Sequence, residues 1–266
     1  MSRFAFGRNW KDFVSRAMDE ERQRIAKDHL LQFLNLPDLS GKSFLDVGCG
    51  SGIHSLAAVR AGARVHSFDY DQDSVDAARI VWESVGKPAG WHIERGDVLD
   101  EAYMRGLGSF DIVYSWGVLH HTGEMWRAVK SAAGPVKPGG LFYIALYSKD
   151  IYRDWQMWLD VKRTYNRAGP AKRFLMECGY AWFTTVQPDL LHFRNPLRTI
   201  REYKKSRGMA YWTDVRDWLG GWPMEFAGDQ ETVAFCEGLD LRLARMKTGE
   251  GNTEFLFSAP DRSARQ

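Results

Sequence analysis

Three aspartates lie beside glycines or at the ends of apolar runs, where carboxylates could bind a nucleoside. Asp46 precedes the glycine-rich turn of FLDVGCGSG, Asp69 lies in VHSFDYD, and Asp97 lies in ERGDVLD. A carboxylate about 20 residues past a glycine turn is spaced to accept hydrogen bonds from both ribose hydroxyls. Asp69 has that spacing, so we expect the ligand to contain a ribose. Asp97 could accept from an adenine amino group while the backbone amide of Val98 donates to the ring.

The glycines of residues 48–52 favour an amino-acid tail over a phosphate chain on this ligand. The dinucleotide-binding fingerprint is G-x-G-x-x-G/A, whereas residues 48–52 read G-x-G-x-G. Asp46 would repel a pyrophosphate at that place but would attract an ammonium group. A glycine turn that leads into a helix lets the backbone approach a ligand closely. We therefore predict an adenosine that carries an amino acid.

Two adjacent histidines and one tyrosine are the candidates for proton transfer. His120 and His121 follow a predicted strand in SWGVLHHTGEM, and Tyr147 ends the next predicted strand. An unperturbed imidazole has a pKa of about 6.5, so it can act as a base near neutral pH. We predict His121 as the base, with His120 and Tyr147 as further catalytic candidates. The alternative is structural, with one histidine capping the next helix and the other packed beneath a lid.

Alternating strand and helix patterns place these residues at one edge of a parallel sheet. Short apolar strands are predicted at residues 44–47, 64–68, 91–94, 110–115 and 141–147. Helices are predicted at residues 11–36, 52–61, 74–85, 125–133 and 229–237, and a turn at residues 137–140. Two further strand-like runs flank GEGN, which is a hairpin signal. Strands that alternate with helices favour a parallel sheet covered on both faces, to which the hairpin adds antiparallel strands.

A long basic segment separates the fifth predicted strand from the last helix. Residues 151–207 are predicted to be helical, with a break at Pro196. Residues 149–207 contain 13 Lys or Arg but six Asp or Glu, although the whole chain carries only +2. We predict that this block covers the active site and that some of its cations bind an anionic group of the substrate; solvation of exposed helix faces is the alternative for any one of them. The candidates are Arg153, Lys162, Arg163, Arg194, Arg198 and Arg201.

Two aromatic stretches around glycines are further candidates for the substrate pocket. FAFGRNW contains Trp10, and MAYWTDVRDWLGGWPMEF contains Tyr211 and Trp222. Aromatic side chains beside glycine hinges suit a lid that closes and excludes water. They suit a hydrophobic core equally well, and the 11 tryptophans of the chain cannot all line one pocket.

The composition indicates an ordinary globular chain in a reducing compartment. The 266 residues are 44% hydrophobic and 26% charged, which is sufficient for one large core. The three cysteines are far apart, with neither metal-site nor disulfide spacing, and favour the cytoplasm. The N-terminal sequence shows no signal-peptide core, and no apolar run reaches membrane-spanning length. We therefore expect a cytoplasmic protein.

The motifs, taken in order, resemble those of a known enzyme superfamily. LDVGCGSG, FDYDQDSVDAAR, GDVLD, FDIVYSWGVLHHT and VKPGGLFYIALY are similar to the successive motifs of class I S-adenosylmethionine-dependent methyltransferases, above all the ubiquinone and menaquinone biosynthesis branch. The resemblance covers about residues 40–147 and the final hairpin, and several motifs agree in order and spacing. It implies a Rossmann-like α/β fold with a seven-stranded, mostly parallel sheet, an antiparallel last strand and an inserted helical lid. It also implies S-adenosylmethionine as cofactor and S-adenosylhomocysteine as its product.

The resemblance assigns cofactor-binding roles along the predicted edge of the sheet. It places the methionine part of the cofactor against the glycine turn, with Asp46 near the ammonium and Asp69 on the ribose. Tyr70 would flank the adenine, which Asp97 and Val98 would recognise. The full set of cofactor-binding candidates is Asp46, Gly48, Cys49, Gly50, Ser51, Gly52, His54, Asp69, Tyr70, Asp97, Val98, Ser115 and Gly117.

These observations together predict a small-molecule methyltransferase in three parts. Residues 1–40 would form an N-terminal helical cap, residues 41–148 and 226–266 the cofactor-binding core, and residues 149–225 the helical substrate-binding lid. The acceptor would be an oxygen or nitrogen of a small anionic or aromatic molecule, in a monomer or a homodimer without a metal. Three alternatives stay open: an RNA or protein methyltransferase that uses the basic lid, an enzyme in peripheral contact with a membrane, and a non-catalytic cofactor-binding scaffold. The chain shows no appended RNA-binding module, which argues against nucleic acid.

Overall fold

A seven-stranded sheet forms the centre of the computed structural model, which describes residues 20–207, 211–249 and 251–261. The strands are β1 Ser43–Val47, β2 Arg64–Asp69, β3 Trp91–Arg95, β4 Phe110–Trp116, β5 Val136–Tyr147, β6 Arg242–Thr248 and β7 Asn252–Ser258. Their order is β3-β2-β1-β4-β5-β7-β6. Neighbours from β3 to β5 are parallel, whereas β7 is antiparallel to both β5 and β6. The predicted sheet with its reversed last strand is confirmed.

Helices cover both faces of this sheet. They are α1 Glu20–Leu34, α2 Ile53–Arg60, α3 Gln72–Ser84, α4 Glu101–Gly106, α5 Met125–Ala133, α6 Trp155–Arg167, α7 Pro170–Ala181, α8 Gln187–Leu191, α9 Pro196–Arg207, α10 Tyr211–Gly220 and α11 Asp229–Glu237. Helices α1 to α3 pack on one face, in a buried cluster that includes Leu30 and Leu56. Helices α4, α5 and α11 pack on the other face, in a cluster that includes Met104 and Val129. Within the described ranges, none of the helices has the length and apolar composition needed to cross a membrane.

Because helices cover both faces of the sheet, its strands are apolar and a ligand can reach it only where the strands end. Phe44 and Leu45 of β1, like Ile112 and Val113 of β4, are fully buried on opposite faces of the sheet. A parallel strand buried on both faces must be apolar along its whole length. Ligands in such sheets bind beyond the carboxyl ends of the strands, where the chain leaves the sheet.

Helices α6 to α10 form a further layer with a small core of its own. The buried members of that core are Tyr165, Ala181, Tyr211, Val215 and Leu219. Helix α7 continues through a π-helical turn at Trp182–Val186 into α8. The helical segment is interrupted between Leu191 and Pro196, as predicted, and Pro196 begins α9. A proline at a first helical position loses only an N–H that has no helical partner. The role of this layer as a lid, and the predicted domain bounds, stay predictions.

Strand β5 begins earlier than the sequence indicates. It starts at Val136 instead of residue 141, so the predicted turn at residues 137–140 lies inside an irregular strand. The pairing of β5 with β4 shifts register between Phe110 and Ile112. The glycines that signal a turn therefore produce an irregular stretch within the strand.

The helices near the two ends of the predicted pattern also differ from expectation. Helix α1 is described from Glu20 to Leu34, and the earlier part of the predicted helix at residues 11–36 lies outside the described residues. Helix α4 was not expected, because its six residues are too few to show a helical period. Asp100 begins α4 by accepting hydrogen bonds from the amides of Ala102 and Tyr103.

Candidate active site

A cavity of about 990 Å³ opens where the parallel strands end. One end of it is formed by residues that end or follow β1, β2, β3 and β4, and the other end by residues of α6, α7, α9 and α10. The predicted cofactor-binding residues that line it are Asp46, Gly48, Cys49, Gly50, Ser51, His54, Asp69, Tyr70, Asp97, Val98 and Gly117. Motifs that are far apart in sequence meet here because parallel strands bring their carboxyl ends to one edge.

At the glycine turn, backbone lies against the cavity where a side chain would not fit. Gly48 has a φ of 81°, and a Cβ on it would collide with Val118. The amide of Gly50 donates a hydrogen bond to Asp69 Oδ2 over 2.9 Å. The amides of Gly48 and Cys49 donate to the carbonyl oxygen of Phe68, so the turn is tied to the end of β2 by several backbone bonds.

Asp46 and Asp69 place two carboxylates at this end of the cavity. Burial raises the pKa of Asp46 to about 7, against a hydrogen bond from Ser55 over 2.5 Å. Burial also raises the pKa of Asp69 to about 6, against hydrogen bonds from the amides of Asp71 and Gly50. In the part of the chain that the structure describes, neither carboxylate is paired with a cation. A positively charged ligand would favour both ionised forms, so the pair fits a ligand with an ammonium or sulfonium group.

Beside β3, the polar groups of the cavity are more exposed than Asp46 and Asp69. Asp97 Oδ1 accepts a hydrogen bond from the amide of Leu99 over 2.9 Å. An ionised carboxylate has about four acceptor positions, so Asp97 can accept further bonds. Tyr70 is exposed, and the Arg95 guanidinium lies 5.7 Å from the centre of its ring. These groups could hold one end of a flat base.

His54 lines the cavity from the first turn of α2. Its ring lies 5.3 Å from that of Tyr114, measured between centroids. Burial lowers the pKa of His54 to about 4, and the charge of His29 adds to this effect. The helix begins at Gly52 without a side-chain cap.

His121 lines the cavity from the short helical turn Leu119–His121 that follows β4. Its Nδ1 lies 2.8 Å from the carbonyl oxygen of Pro223, which can only accept a hydrogen bond. The proton of the neutral ring therefore belongs on Nδ1, and Nε2 is the basic atom. Burial lowers the pKa of His121 to about 4, against the bond to Pro223, so the ring is neutral at physiological pH.

The two other catalytic candidates lie beside His121 in different settings. Tyr147 lines the cavity, and burial raises the pKa of its hydroxyl. His120 is fully buried and is not part of the cavity wall, and its ring centroid lies 4.2 Å from that of Tyr147. Among the described residues, neither ring nitrogen of His120 has a hydrogen-bond partner. His120 therefore packs against Tyr147, whereas His121 lines the cavity.

The helical layer contributes one buried cation to the cavity. Lys162 is 1% exposed, and its Nζ donates to the carbonyl oxygen of Trp218 and lies 4.3 Å from the centre of the Trp218 ring. Burial lowers the pKa of Lys162 to about 7, against the charge of Asp217. An ammonium held in so apolar a place is poised to pair with an anionic ligand.

Aromatic side chains form most of the wall around Lys162. They are Tyr147, Tyr152, Trp158, Tyr180, Tyr203, Trp218 and Trp222. Tyr203 donates a hydrogen bond to Asp214, so this wall also contains fixed polar groups. The sequence signals Trp158 and Lys162 by their spacing of four on one helix face. Tyr152, Tyr180 and Asp214 carry no such signal, because they come from three separate parts of the chain: the turn before α6, helix α7 and helix α10.

Two predicted cofactor residues lie outside the cavity wall. Ser115 is buried and donates its hydroxyl to the carbonyl oxygen of Val47 over 2.8 Å, which joins β4 to β1. Gly52 has a φ of 77°, and a Cβ on it would lie 3.0 Å from that of Ala78. Gly52 therefore allows α2 to pack against α3. Both residues hold together the elements that carry the site, without lining the cavity.

Of the residues predicted to bind the substrate, Lys162 and Trp222 line the cavity. Arg153, Arg194 and Arg198 are exposed and are not in its wall, and Arg198 pairs instead with Glu202 over 3.2 Å. The exposure of these arginines agrees with the alternative explanation, in which they solvate the outer faces of their helices.

Tyr211, a further candidate, is buried in the core of the helical layer. Its hydroxyl donates to Thr185 Oγ1 over 2.8 Å, and Tyr211 does not line the cavity. Trp10 lies outside the described residues. The aromatic stretch around Tyr211 and Trp222 thus contributes to both a core and a pocket.

Comparison with known proteins identifies a family. The family model described as a methyltransferase domain matches residues 18–226. The ubiquinone biosynthesis O-methyltransferase of Methylobacterium sp. (strain 4-46) is 30% identical over 130 residues, which are 49% of this chain and 51% of that protein. The enzyme of the same name from Bordetella avium (strain 197N) is 34% identical over 113 residues, covering 42% and 45% of the two chains. The chain thus spans about half the length of the curated relatives it matches.

Solved structures share the fold at low identity. An O-methyltransferase family protein from Burkholderia thailandensis superposes with a TM-score of 0.56 at 15% identity, covering 90% of this chain and 57% of that one. The magnesium protoporphyrin IX methyltransferase of Synechocystis PCC 6803, with bound S-adenosylhomocysteine, gives a TM-score of 0.53 at 15% identity, covering 89% and 83%. At this identity the likeness concerns the fold.

Proposed function

The chain belongs to the methyltransferase-domain family, and we propose that it transfers the methyl group of S-adenosylmethionine to an oxygen or nitrogen of a small anionic or aromatic molecule. One observation carries this proposal: a bare glycine turn and the carboxylates of Asp46 and Asp69 open into the same cavity as an aromatic wall with one buried cation. Oxygen is the favoured acceptor atom, because the curated relatives are named O-methyltransferases. S-adenosylhomocysteine would be the product that leaves.

S-adenosylmethionine supplies a methyl group that its sulfonium already activates. The glycine turn would approach the methionine part of the cofactor, with Asp46 facing the ammonium. Asp69 would accept from the ribose hydroxyls, and its bond from Gly50 keeps its carboxylate in place over 2.9 Å. Asp97 and Val98, both in the cavity wall, would recognise the adenine.

His121 and Lys162 are the residues that would act on the acceptor. A base is needed when the attacking atom carries a proton at the working pH. The Nε2 atom of His121 would accept that proton, because the bond to Pro223 holds the other ring proton on Nδ1. Lys162 would pair with the anion that forms on the acceptor or with a charge the acceptor already carries.

The aromatic wall would bind a flat acceptor and keep water away from the reaction. Methyl transfer is an in-line displacement in which the attacking atom must be held at about 3–3.5 Å with correct alignment. Trp158, Trp218 and Trp222 give the wall rigid, apolar surfaces. Such a wall orients a ring more effectively than it orients a flexible chain, and it excludes competing water.

A labelled-methyl screen tests this proposal. The purified protein is incubated with S-adenosylmethionine labelled in its methyl group and with separate pools of phenols, aromatic carboxylates, amines, RNA and protein, and product masses are measured. We expect label in an aromatic hydroxyl or carboxylate pool. Label only in RNA or protein would establish the alternative that uses the basic lid. Cofactor binding without product in any pool would establish a non-catalytic scaffold.

We also propose that the helical layer contacts a membrane surface from the cytoplasmic side. Large apolar side chains are exposed along α7, α8, α9 and the turns that join them. They are Phe174, Leu175, Trp182, Phe183, Leu190, Leu191, Phe193 and Leu197. Arg173, Arg194 and Arg198 are exposed among them. Apolar side chains mixed with cations suit the surface of an anionic bilayer.

Sedimentation with lipid vesicles tests this contact. We expect the protein to bind vesicles that contain an anionic lipid more strongly than neutral vesicles. The double substitution Phe183→Ser with Leu191→Ser should abolish that binding, whereas Ile80→Ser, at an exposed apolar residue on α3, should not. If wild-type protein stays in the supernatant and sediments in solution as a homodimer, this surface is a contact between two copies instead.

A further inference from the structure

We infer that His66, His92 and Glu94 form a site for a divalent transition-metal cation of the zinc type, separate from the cavity. His66 lies on β2 and pairs in register with His92 on β3, and Glu94 lies two residues further along β3. Side chains two residues apart on a strand share a face. The sheet therefore presents two imidazoles and one carboxylate side by side.

The donor atoms of the three side chains already converge. The Nε2 atom of His66 lies 3.0 Å from Glu94 Oε1, and the Nε2 atom of His92 lies 3.3 Å from Glu94 Oε2. One ligand atom from each residue lies within 4.8 Å of the others. In a tetrahedral zinc site with bonds of about 2.0–2.2 Å, ligand atoms are about 3.3 Å apart. Small rotations of the side chains would therefore admit a cation.

The residue types of the cluster suit a metal ligand set. Imidazole nitrogens and carboxylate oxygens are ligands that zinc-type cations take in proteins.

The surroundings orient two of the ligands and leave one side open. The Tyr103 hydroxyl donates to Glu94 Oε1 over 2.7 Å, which is the kind of outer contact that fixes a ligating carboxylate. The His66 ring packs edge-on to Phe110 at 6.1 Å between centroids. His92 is exposed, with 63% of its side chain accessible, so a cation can enter from solvent and retain water as a fourth ligand.

The cluster is distinct from the proposed active site, although it shares its strands. None of the three residues lines the cavity. Asp69 ends β2 three residues after His66, and Asp97 follows β3 three residues after Glu94. A cation bound to both strands would hold β2 and β3 together, so it should stabilise the folded chain by mass action.

Titration of chelator-treated protein with zinc chloride tests the site. We expect wild-type protein to bind one equivalent at this site, with a rise in the thermal midpoint that a chelator reverses. His92→Gln, at an exposed position, should weaken binding by more than about 10-fold, and Tyr103→Phe by about 10-fold, the size of an outer-contact effect. His29→Gln is the matched control, because His29 also faces a carboxylate, 3.4 Å from Glu254, but belongs to no group of three ligand residues in the described part of the chain.

The outcomes separate the metal site from a hydrogen-bonded cluster. Retention of wild-type affinity in His92→Gln would overturn the proposal, as would a complete lack of zinc binding by the wild-type protein. Equal losses in His92→Gln and His29→Gln would point to non-specific binding and also overturn it. Unchanged binding in His29→Gln with loss in His92→Gln and in His66→Gln would establish the site.

Discussion

The amide of Gly50 donates a hydrogen bond to Asp69 Oδ2 over 2.9 Å, which joins the glycine turn after β1 to the carboxylate that ends β2. The other oxygen of Asp69 accepts from the amide of Asp71 over 2.9 Å. Two backbone bonds therefore fix the carboxylate at the cavity wall without neutralising its charge. The proposed ribose contact depends on this fixed orientation.

Asp69→Asn should weaken the binding of S-adenosylmethionine by about 10- to 100-fold, because a hydrogen bond to a charged group is worth about 1.5–3 kcal/mol. Calorimetric titration with the cofactor measures this change. Asp28→Asn is the control, because Asp28 is an exposed carboxylate on α1, 3.8 Å from Arg24 and outside the cavity. Equal affinity in Asp69→Asn and wild type would refute the ribose assignment.

Asp46→Asn should stabilise the ligand-free protein and weaken its cofactor binding at the same time. Burial raises the pKa of Asp46 from 3.8 to about 7. Between those values the unfolded chain binds fewer protons than the folded chain, so this group costs stability as pH rises through that window. The thermal midpoint of Asp46→Asn should therefore exceed that of wild type at pH 8 and match it near pH 4.

The same substitution, Asp46→Asn, should weaken cofactor binding although it raises the stability of the ligand-free protein. An ionised Asp46 attracts an ammonium, so wild-type affinity should rise as the pH increases from about 5 to about 8, and Asp46→Asn should flatten that rise. A variant that is less stable than wild type at pH 8 and binds the cofactor equally well would contradict this role.

His121→Gln should lower kcat by about 10²- to 10⁴-fold, the usual contribution of a positioned base, while cofactor affinity stays unchanged. Because burial lowers the pKa of His121 to about 4, its protonation should reduce the wild-type rate only in acid solution. Rate measurements across pH check both points.

His192→Gln is the matched control for that experiment. His192 Nδ1 also lies 2.8 Å from a proline carbonyl oxygen, that of Pro188, but its side chain is exposed. We expect His192→Gln to have wild-type turnover. Equal turnover in His121→Gln and wild type would remove His121 as the base.

Lys162→Met should raise KM for an anionic or phenolic acceptor by about 10- to 100-fold, since it removes a charged hydrogen-bond donor. Methionine keeps the chain length and suits the aromatic surroundings, so the variant should fold. Steady-state kinetics with the acceptor identified in the screen give the measurement. Lys149→Met is the control, because Lys149 lies 5.4 Å from the ring of Trp155 but pairs with Glu231 outside the cavity. A KM for Lys162→Met equal to that of wild type would exclude the anion contact.

The sequence predicts the cofactor end of the cavity better than the acceptor end, and the reason is physical. Asp46, Asp69 and Asp97 end or follow parallel strands, and strand ends converge at one edge whatever the loops do. The acceptor end depends on how α6 to α10 pack against one another, and charge patterning does not encode that packing. The sequence predicts Arg198 as a candidate substrate ligand, but Arg198 lies on an exposed helix face, where it pairs with Glu202. Lys162 belongs to the same group of candidate cations, and it is its burial in the cavity wall that distinguishes it from the exposed arginines.

Residues that are adjacent in the sequence can also have different environments in the structure. His120 and His121 are adjacent, yet His120 is fully buried behind Tyr147 while His121 lines the cavity. Both rings pack against that of Tyr147, but His121 also reaches the cavity. Gly52 belongs to the same motif as Gly48, but it is a glycine because α2 packs against α3. Sequence spacing therefore locates such motifs without separating ligand contacts from packing contacts.

Calorimetric titration of the wild-type protein at pH 8 with S-adenosylmethionine, and separately with nicotinamide adenine dinucleotide, tests the central claim most directly. The proposed cavity predicts one S-adenosylmethionine bound per chain and no binding of the dinucleotide, because Asp46 attracts a cationic tail and repels a pyrophosphate. Binding of the dinucleotide without binding of S-adenosylmethionine would contradict the claim.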